Sequence, residues 1–347
     1  MRKNDLQDAN PMTNRLSAMK PGVLARGMHC IVPAWFLCGC GGVQSVLDPR
    51  GPQAGAIASI AWVMFLGAAA VLLLVTALAL YAFYGPRSRE RRSNDNAWIL
   101  AGGIALPVLT LSALLAYGVH SMASMREAAP SDERIEIIAH RWWWEVQYFD
   151  ENGLVAVTAN EVRIPVATPV AVDLRSRDVI HSFWVPNLAG KMDAIPGRTN
   201  RLILHASAPG LFRGQCAEYC GAQHARMGLH VIAQTPAAHA EWLASQREPA
   251  RMPSDEIAVR GQRLFGNHCA ACHTVRGNGA AQRSGPDLTH LASRRFIAGG
   301  TLENNRANLL NFITESQSLK AGSGMPSFAH LEQDALHAIV QYLGGLQ

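Results

Sequence analysis

The sequence predicts a multi-domain chain: a two-helix transmembrane hairpin, then an all-β sandwich, then an all-α domain. Three observations carry that prediction. Two long N-terminal runs contain no Asp, Glu, Lys or Arg; a middle region alternates apolar and polar residues between Pro and Gly breaks; and the last hundred or so positions show helical spacing around a tight cysteine pair. The 347 residues suit two to three domains. Hydrophobic residues make up 49% and charged residues 16%, which excludes an intrinsically disordered chain. The net charge of +5 is small and its basic residues are scattered, which argues against nucleic acid as a partner. Seven cysteines are too few for a disulfide scaffold of this size.

Residues 1–40 read as a leader. Lys20 and Arg26 precede the apolar run Ile31 to Leu37, which looks like the hydrophobic part of a signal peptide. It ends in Leu37-Cys38-Gly39-Cys40, which resembles a bacterial lipoprotein cleavage box with Cys40 as the lipidated residue. Membrane lipid is thus an expected partner. The hairpin occupies 41–125, with helices at about 57–84 and 97–120. Each exceeds the ~20 residues a helix needs to cross the hydrocarbon core. Pro107 is expected to kink the second helix. The loop between them carries Arg87, Arg89, Arg91 and Arg92, which places it on the cytoplasmic side and both flanks outside.

Residues 126–245 read as strands: Ile135 to Ile138, Trp143 to Tyr148, Val155 to Thr158, Val162 to Ile164, Val170 to Arg175, Ile180 to Val185, Arg201 to His205 and His230 to Ala233. No long helical pattern interrupts them. Near their end lies Cys216-Ala217-Glu218-Tyr219-Cys220-Gly221-Ala222-Gln223-His224-Ala225-Arg226-Met227. Two thiols, an imidazole and a thioether sit within twelve residues, and a second imidazole, His181, lies 35 residues before Cys216. Soft sulfur donors with imidazole select copper or zinc. Two thiolates can bridge two coppers, leaving one His for each, with Met227 and the Glu218 carbonyl completing the set. A Cys216–Cys220 disulfide, a structural zinc site, or histidines simply buried in the core are the competing readings.

The segment Asp178 to Met227 resembles subunit II of the haem–copper cytochrome c oxidases. The likeness rests on His181-Ser182-Phe183-Trp184-Val185-Pro186, on Lys191-Met192-Asp193-Ala194-Ile195-Pro196-Gly197-Arg198 and on the loop just quoted. It implies a cupredoxin-like sandwich, and a dinuclear copper centre, CuA, held by His181, Cys216, the Glu218 carbonyl, Cys220, His224 and Met227. It also implies a magnesium ion reached by the Glu218 side chain at the subunit I interface, with Asp193 and Arg198 on that surface. Ala139-His140-Arg141-Trp142-Trp143-Trp144-Glu145 resembles the family's aromatic stretch, which makes Trp142 the candidate for the point where electrons enter. Trp144 reads as a core residue. Many members place a Glu that feeds a proton path at the start of the second membrane helix; here Asp95 stands near that spot, and it reads as a solvated loop carboxylate.

A linker, 246–253, separates the last domain, 254–347. Ser254 reads as an N-cap, and Ile257, Gly261, Leu264 and Phe265 share one helical face. Cys269-Ala270-Ala271-Cys272-His273 is the c-type haem attachment pattern. Cys269 and Cys272 would hold the haem covalently and His273 would ligate its iron. Gly285-Pro286-Asp287-Leu288 resembles the segment whose Pro carbonyl accepts the His ring N–H, and Gly324-Met325-Pro326 supplies Met325 as the sixth ligand. The whole resembles an oxidase subunit II fused to a class I cytochrome c, the caa3-type arrangement.

That resemblance implies a subunit of a proton-pumping cytochrome c oxidase in a bacterial inner membrane, with both globular domains outside. Electrons would pass from a soluble or membrane cytochrome c, or the bc1 complex, through haem c and CuA to haem a of subunit I, where O2 is reduced to water. Subunits I and III would be its partners, and the linker would act as a short flexible tether that raises the local concentration of one centre beside the other. No residue here is expected to act as a catalytic acid, base or nucleophile. The alternative is the CuA subunit of a nitric or nitrous oxide reductase; the two membrane helices and the Asp193 to Arg198 segment favour the oxidase.

Overall fold

The computed structural model describes residues 42–85, 94–124, 133–277, 279–281 and 284–347. The leader, with Cys40, and the arginine-rich loop at 86–93 lie outside the described residues. Helix α1 (Pro52–Tyr84) starts with Pro in its first turn, where the missing N–H is not needed. The second apolar segment runs as α2 (Asp95–Trp98), a π-helical stretch Ile99–Ala105, and α3 (Leu106–Ser124). The widened turn directly precedes Pro107, as expected where a proline removes a ladder bond. Both segments are apolar and long enough to span a membrane. Their Trp, Leu, Val and Phe side chains are largely exposed, so lipid or partner helices must cover them.

The start of α1 is anchored on the β-domain. Ala54 and Ala58 are buried, the Ala54 N–H donates to the Leu188 carbonyl at 3.3 Å, and the Arg50 N–H donates to the Asn187 carbonyl at 2.7 Å. The first helix therefore begins on the side where the sandwich lies.

The sandwich has two five-stranded sheets. One is ordered β3-β2-β1-β5-β8: β1 (Arg134–His140), β2 (Trp143–Asp150), β3 (Gly153–Ala159), β5 (Val170–Ser176) and β8 (Asn200–Leu204). The other is ordered β4-β10-β9-β6-β7: β4 (Glu161–Pro165), β6 (His181–Trp184), β7 (Met192–Ala194), β9 (Gly210–Cys216) and β10 (Gly228–Gln234). Between them Trp144, Tyr148, Phe183, Ile135, Ile137 and Leu174 are fully buried, each worth roughly 1.5–3 kcal/mol relative to exposure. Trp144 meets Phe183 edge-on, with centroids 5.8 Å apart.

Three local expectations need correction. A helix, α4 (Pro236–Arg247), closes the sandwich where only strands and linker were expected; Thr235 caps it and Trp242 packs on the core. Strands β7 and β9 are additional: β7 is three residues long, and β9 carries Gly210 and Gly214, which dilute its apolar alternation. The linker is no free tether. Ala250 is buried in the helical domain, its N–H donates to the Arg276 carbonyl at 3.0 Å, and the Arg276 guanidinium reaches back to the Arg247 and Gln246 carbonyls.

The C-terminal domain packs α5 (Glu256–His268), α6 (Arg306–Thr314), α7 (Ser316–Leu319) and α8 (Gln333–Leu343), with two minimal hairpins, β11 (Thr274–Val275) with β12 (Ala280–Ala281) and β13 (Phe296–Ile297) with β14 (Leu302–Glu303). Asp255, not Ser254, caps α5, accepting from the Ala258 N–H at 2.8 Å. The buried face of α5 is Ala258, Gly261 and Phe265, whereas Ile257 is exposed. Gly261 lets α5 and α8 touch: a Cβ there would overlap the Ala338 carbonyl and the Tyr342 side chain. Gly261→Val should therefore lower the stability of this domain by about 1–3 kcal/mol, since overpacking forces the helices apart. Scanning calorimetry of the full chain should show the helical-domain transition shifted down, with the β-domain transition in place; two unchanged transitions would contradict the packing.

Candidate metal and haem centres

The metal-ligand candidates converge at one end of the second sheet because three adjacent strands deliver them. Strand β6 begins at His181, β9 ends at Cys216, and β10 begins just after Met227. Register fixes their approach: Phe183 pairs with Cys216, and Gln215 pairs with Gly228. The Cys216 N–H donates to the Met227 carbonyl at 3.0 Å, closing the intervening loop, and the Ala217 N–H donates to the Ser182 carbonyl at 2.9 Å, tying it to β6. A single turn of 3-10 helix, His224–Arg226, brings His224 round.

The donors lie close together. The Cys216 and Cys220 Sγ atoms are 3.7 Å apart and both residues are free thiols. His181 Nδ1 lies 3.8 Å from Cys216 Sγ, His224 Nδ1 3.6 Å from Cys220 Sγ, and Met227 Sδ 3.9 Å from Cys220 Sγ. The Glu218 carbonyl oxygen is 3.2 Å from Cys216 Sγ. His181, Cys216, Cys220 and Met227 are buried and His224 is half-buried. The donor atoms of His181, Cys216 and Cys220 fall within 4.8 Å of one another. This set of two thiols, two imidazoles, a thioether and a carbonyl fits a soft metal pair, and the thioether has little use at a zinc site.

Electrostatics point the same way. Hydrogen bonding with Cys220 pulls the Cys216 thiol down to about 3. The thiolate so formed holds Cys220 above the ordinary thiol range. Two buried thiols this close cannot both ionise without a cation between them. Burial disfavours a charged His181, but hydrogen bonds with Cys216 and Asp178 outweigh it and raise its pKa. Asp178 is a residue to which sequence reasoning gave no role. Its Oδ1 lies 2.8 Å from His181 Nε2, which orients the ring with Nδ1 toward the thiols. A carboxylate three positions before a ligand His was the available signal.

The surrounding residues separate clearly. Trp144 is fully buried core; Trp143 stacks on His140 with centroids 4.3 Å apart. Trp142 is 9% exposed, and its indole N–H donates to the Cys220 carbonyl at 2.9 Å. Glu218 and Arg198 have exposed side chains and Asp193 is half-buried. Asp95 is exposed in the first turn of α2.

The second cysteine pair follows α5. The Cys269 N–H, donating to the Phe265 carbonyl at 2.8 Å, ends that helix and turns the chain. Cys269 is half-buried and Cys272 exposed, both free. Burial, with Cys272 nearby, raises Cys269 to about 11. His273 Nδ1–H donates to the Pro286 carbonyl at 2.8 Å, which leaves Nε2 as the free lone pair, and burial lowers the ring's pKa so that it stays neutral. Gly285 leaves space that a side chain would fill: a Cβ there would sit 2.8 Å from His273 Cε1. Met325 belongs to the same apolar cluster as Leu264, Cys269, Leu288 and Phe328; its carbonyl accepts from Gln317 Nε2 at 2.6 Å and Ser316 Oγ at 3.1 Å. One neutral imidazole, one thioether and two thiols beside an apolar cluster fit a covalent haem.

Both globular domains match known families. Residues 154–234 match the family model described as cytochrome c oxidase subunit II, periplasmic domain, and residues 258–347 match that of cytochrome c. The chain is 34% identical over 327 residues to cytochrome c oxidase subunit 2 of Alkalihalophilus pseudofirmus, covering 90% of this chain and 94% of that one. It is 26% identical over 283 residues to the Bacillus subtilis protein of the same name, covering 76% and 78%. Among solved structures, the periplasmic domain of subunit II of cytochrome oxidase of Bradyrhizobium japonicum is 29% identical, covers 35% of this chain and 96% of its own, and has a TM-score of 0.33. With its paired apolar helices, cupredoxin-like sandwich and C-terminal cytochrome c domain, this chain belongs to the cytochrome c oxidase subunit 2 family, as a member fused to a cytochrome c.

Proposed function

We propose that this subunit receives electrons from an external cytochrome c or the bc1 complex on its cytochrome domain and passes them, through the sandwich, to haem a of subunit I in a caa3-type oxidase. One observation carries the reading. Six donor groups of the kind a dinuclear copper centre needs meet at one end of the sandwich, and the domain bearing the haem motif packs against that same end. When bound, CuA and haem c supply reversible one-electron transfer.

The protein's own groups prepare both sites. Cys216, Cys220, His181, His224, Met227 and the Glu218 carbonyl would hold the coppers. Asp178 holds the His181 ring, and the burial of Met227 and His181 keeps water away. A closed frame of this kind changes little when an electron arrives or leaves, which suits transfer rather than bond-making. Cys269 and Cys272 would attach the haem, and His273, oriented by the Pro286 carbonyl, and Met325, whose backbone Gln317 and Ser316 hold, would ligate its iron. Trp142, bonded to the copper loop and covered by the cytochrome domain, serves as an internal relay rather than a landing site for the external donor.

The exposed Glu218 carboxylate, with Asp193 and Arg198, is assigned to the surface that meets subunit I, with magnesium there and subunit III beyond. The arginine-rich loop faces the cytoplasm and both globular domains face outward, in keeping with α1 starting at the sandwich. Lipidation at Cys40 would add an anchor.

Two substitutions in the full chain test this. Cys216→Ser should abolish the paramagnetic signature of an electron shared over two coppers while leaving the haem spectrum intact; a single isolated Cu(II) signal from the unsubstituted protein would contradict the dinuclear assignment. Asp178→Asn should weaken copper affinity about 10–100-fold in chelator competition, because the outer-shell partner orients His181. Unchanged affinity would remove Asp178 from that role.

A further inference from the structure

Lys320 lies between the two globular domains and is only 5% exposed. Its Nζ donates to the Trp142 carbonyl at 2.5 Å, the Arg226 carbonyl at 3.3 Å and the Ala298 carbonyl at 3.4 Å. Trp142 and Arg226 belong to the sandwich, Ala298 to the cytochrome domain. An ammonium has three N–H donors, and each finds one carbonyl here. Among the described residues no carboxylate forms an ion pair with it. Burial draws its pKa down to about 7. Burying such a group is costly, and two of the three carbonyls that offset that cost lie on the sandwich, so the offset depends on how the domains are placed.

The neighbouring residues extend the contact. Gln223 Nε2 donates to the Ala321 carbonyl at 2.9 Å, and the Arg226 guanidinium donates to the Leu319 carbonyl. Gly322 lies against the Trp142 ring, where a Cβ would come 3.7 Å from the ring edge; on its copper-loop side the same ring meets Gly221, where a Cβ would come within 3.1 Å. The indole is thus held between the copper loop and the loop that leads into Met325. A second patch secures the seam. The Gly228 N–H donates to the Gly299 carbonyl at 2.9 Å, buried Glu161 accepts from the Arg295 and Phe296 N–H groups at 2.5 and 2.9 Å, and His230 stacks on Phe296 with centroids 3.8 Å apart.

We propose that Lys320 is a positioning residue: it docks the cytochrome domain in one orientation, so that the internal electron hop crosses the contact between Trp142 and the loop running into Met325. This rests on the copper and haem assignments above, and deepens them by replacing a tethered, diffusing donor with a fixed one.

The test uses the full, haem- and copper-loaded protein with Lys320→Met and Lys320→Arg. Both variants should show unaltered haem and copper spectra and unaltered reduction of the haem by a small-molecule reductant. In Lys320→Met the haem-to-copper hop should slow at least about tenfold, as expected when a reacting pair loses its fixed placement, while Lys320→Arg should keep most of the rate. Exchange of the Gly228 N–H, which donates across the seam, should quicken in the Met variant. A native hop rate together with native Gly228 exchange in Lys320→Met would overturn the proposal. So would rapid Gly228 exchange in the unsubstituted protein, a readout that needs no variant and no metal. Absence of copper or haem from the unsubstituted protein would instead strike the functional reading, with Gly228 exchange still reporting on docking.

Discussion

Everything at the metal end of this molecule depends on the closure of one β-hairpin tip. The Cys216 N–H to Met227 carbonyl bond makes the twelve-residue segment from one to the other into a loop whose ends are rigid strands. The pairing of Phe183 with Cys216 then puts His181 beside that loop. A one-residue slip in β6 would turn His181 to the opposite face and disperse the donors. The register is protected by the core: Phe183 and Leu229 are fully buried on the strands concerned, so slipping would expose them.

Such a site is electrostatically unfinished without a cation. Two thiols 3.7 Å apart compete for ionisation, one driven down and the other up. A positive charge between them relieves the conflict, and an imidazole oriented by Asp178 offers a lone pair to it. The cytochrome domain shows the complementary design. There burial keeps the imidazole neutral and raises the thiol pKa of Cys269, and the Pro286 carbonyl aims the ring. Between these centres the seam is held by side chains that reach backbone groups across it. Glu161, Arg163 and Lys320 all find backbone partners on the other domain. Backbone carbonyls and N–H groups are fixed in direction, so these contacts specify orientation more than they add affinity.

Much of this was legible in the residues. Soft donors clustered between Cys216 and Met227, and Cys269-Ala270-Ala271-Cys272-His273, carry their chemistry in local spacing, and eight strands announced themselves by alternation. What escaped depends on distance in sequence. Lys320 meets Trp142 across 178 positions, and nothing near either residue signals the other. Asp178 stood within the quoted motif, yet its role appears only when β6 fixes the ring beside it. Strand β9 hid behind its glycines: a Cβ at Gly214 would crowd the Trp184 carbonyl and Leu229 at under 3 Å, so tertiary packing, not strand propensity, chose that residue. The N-cap shifted by one because Asp255 and Ser254 both suit the position, and only the backbone decides.

The most direct measurement of the central claim is the metal and haem stoichiometry of the native protein, with sulfur-edge and copper-edge absorption to identify what the thiolates bind. The account predicts two coppers for every haem, each copper seeing both bridging sulfurs. One copper per haem, zinc in their place, or an oxidised Cys216–Cys220 pair in the isolated protein would contradict it.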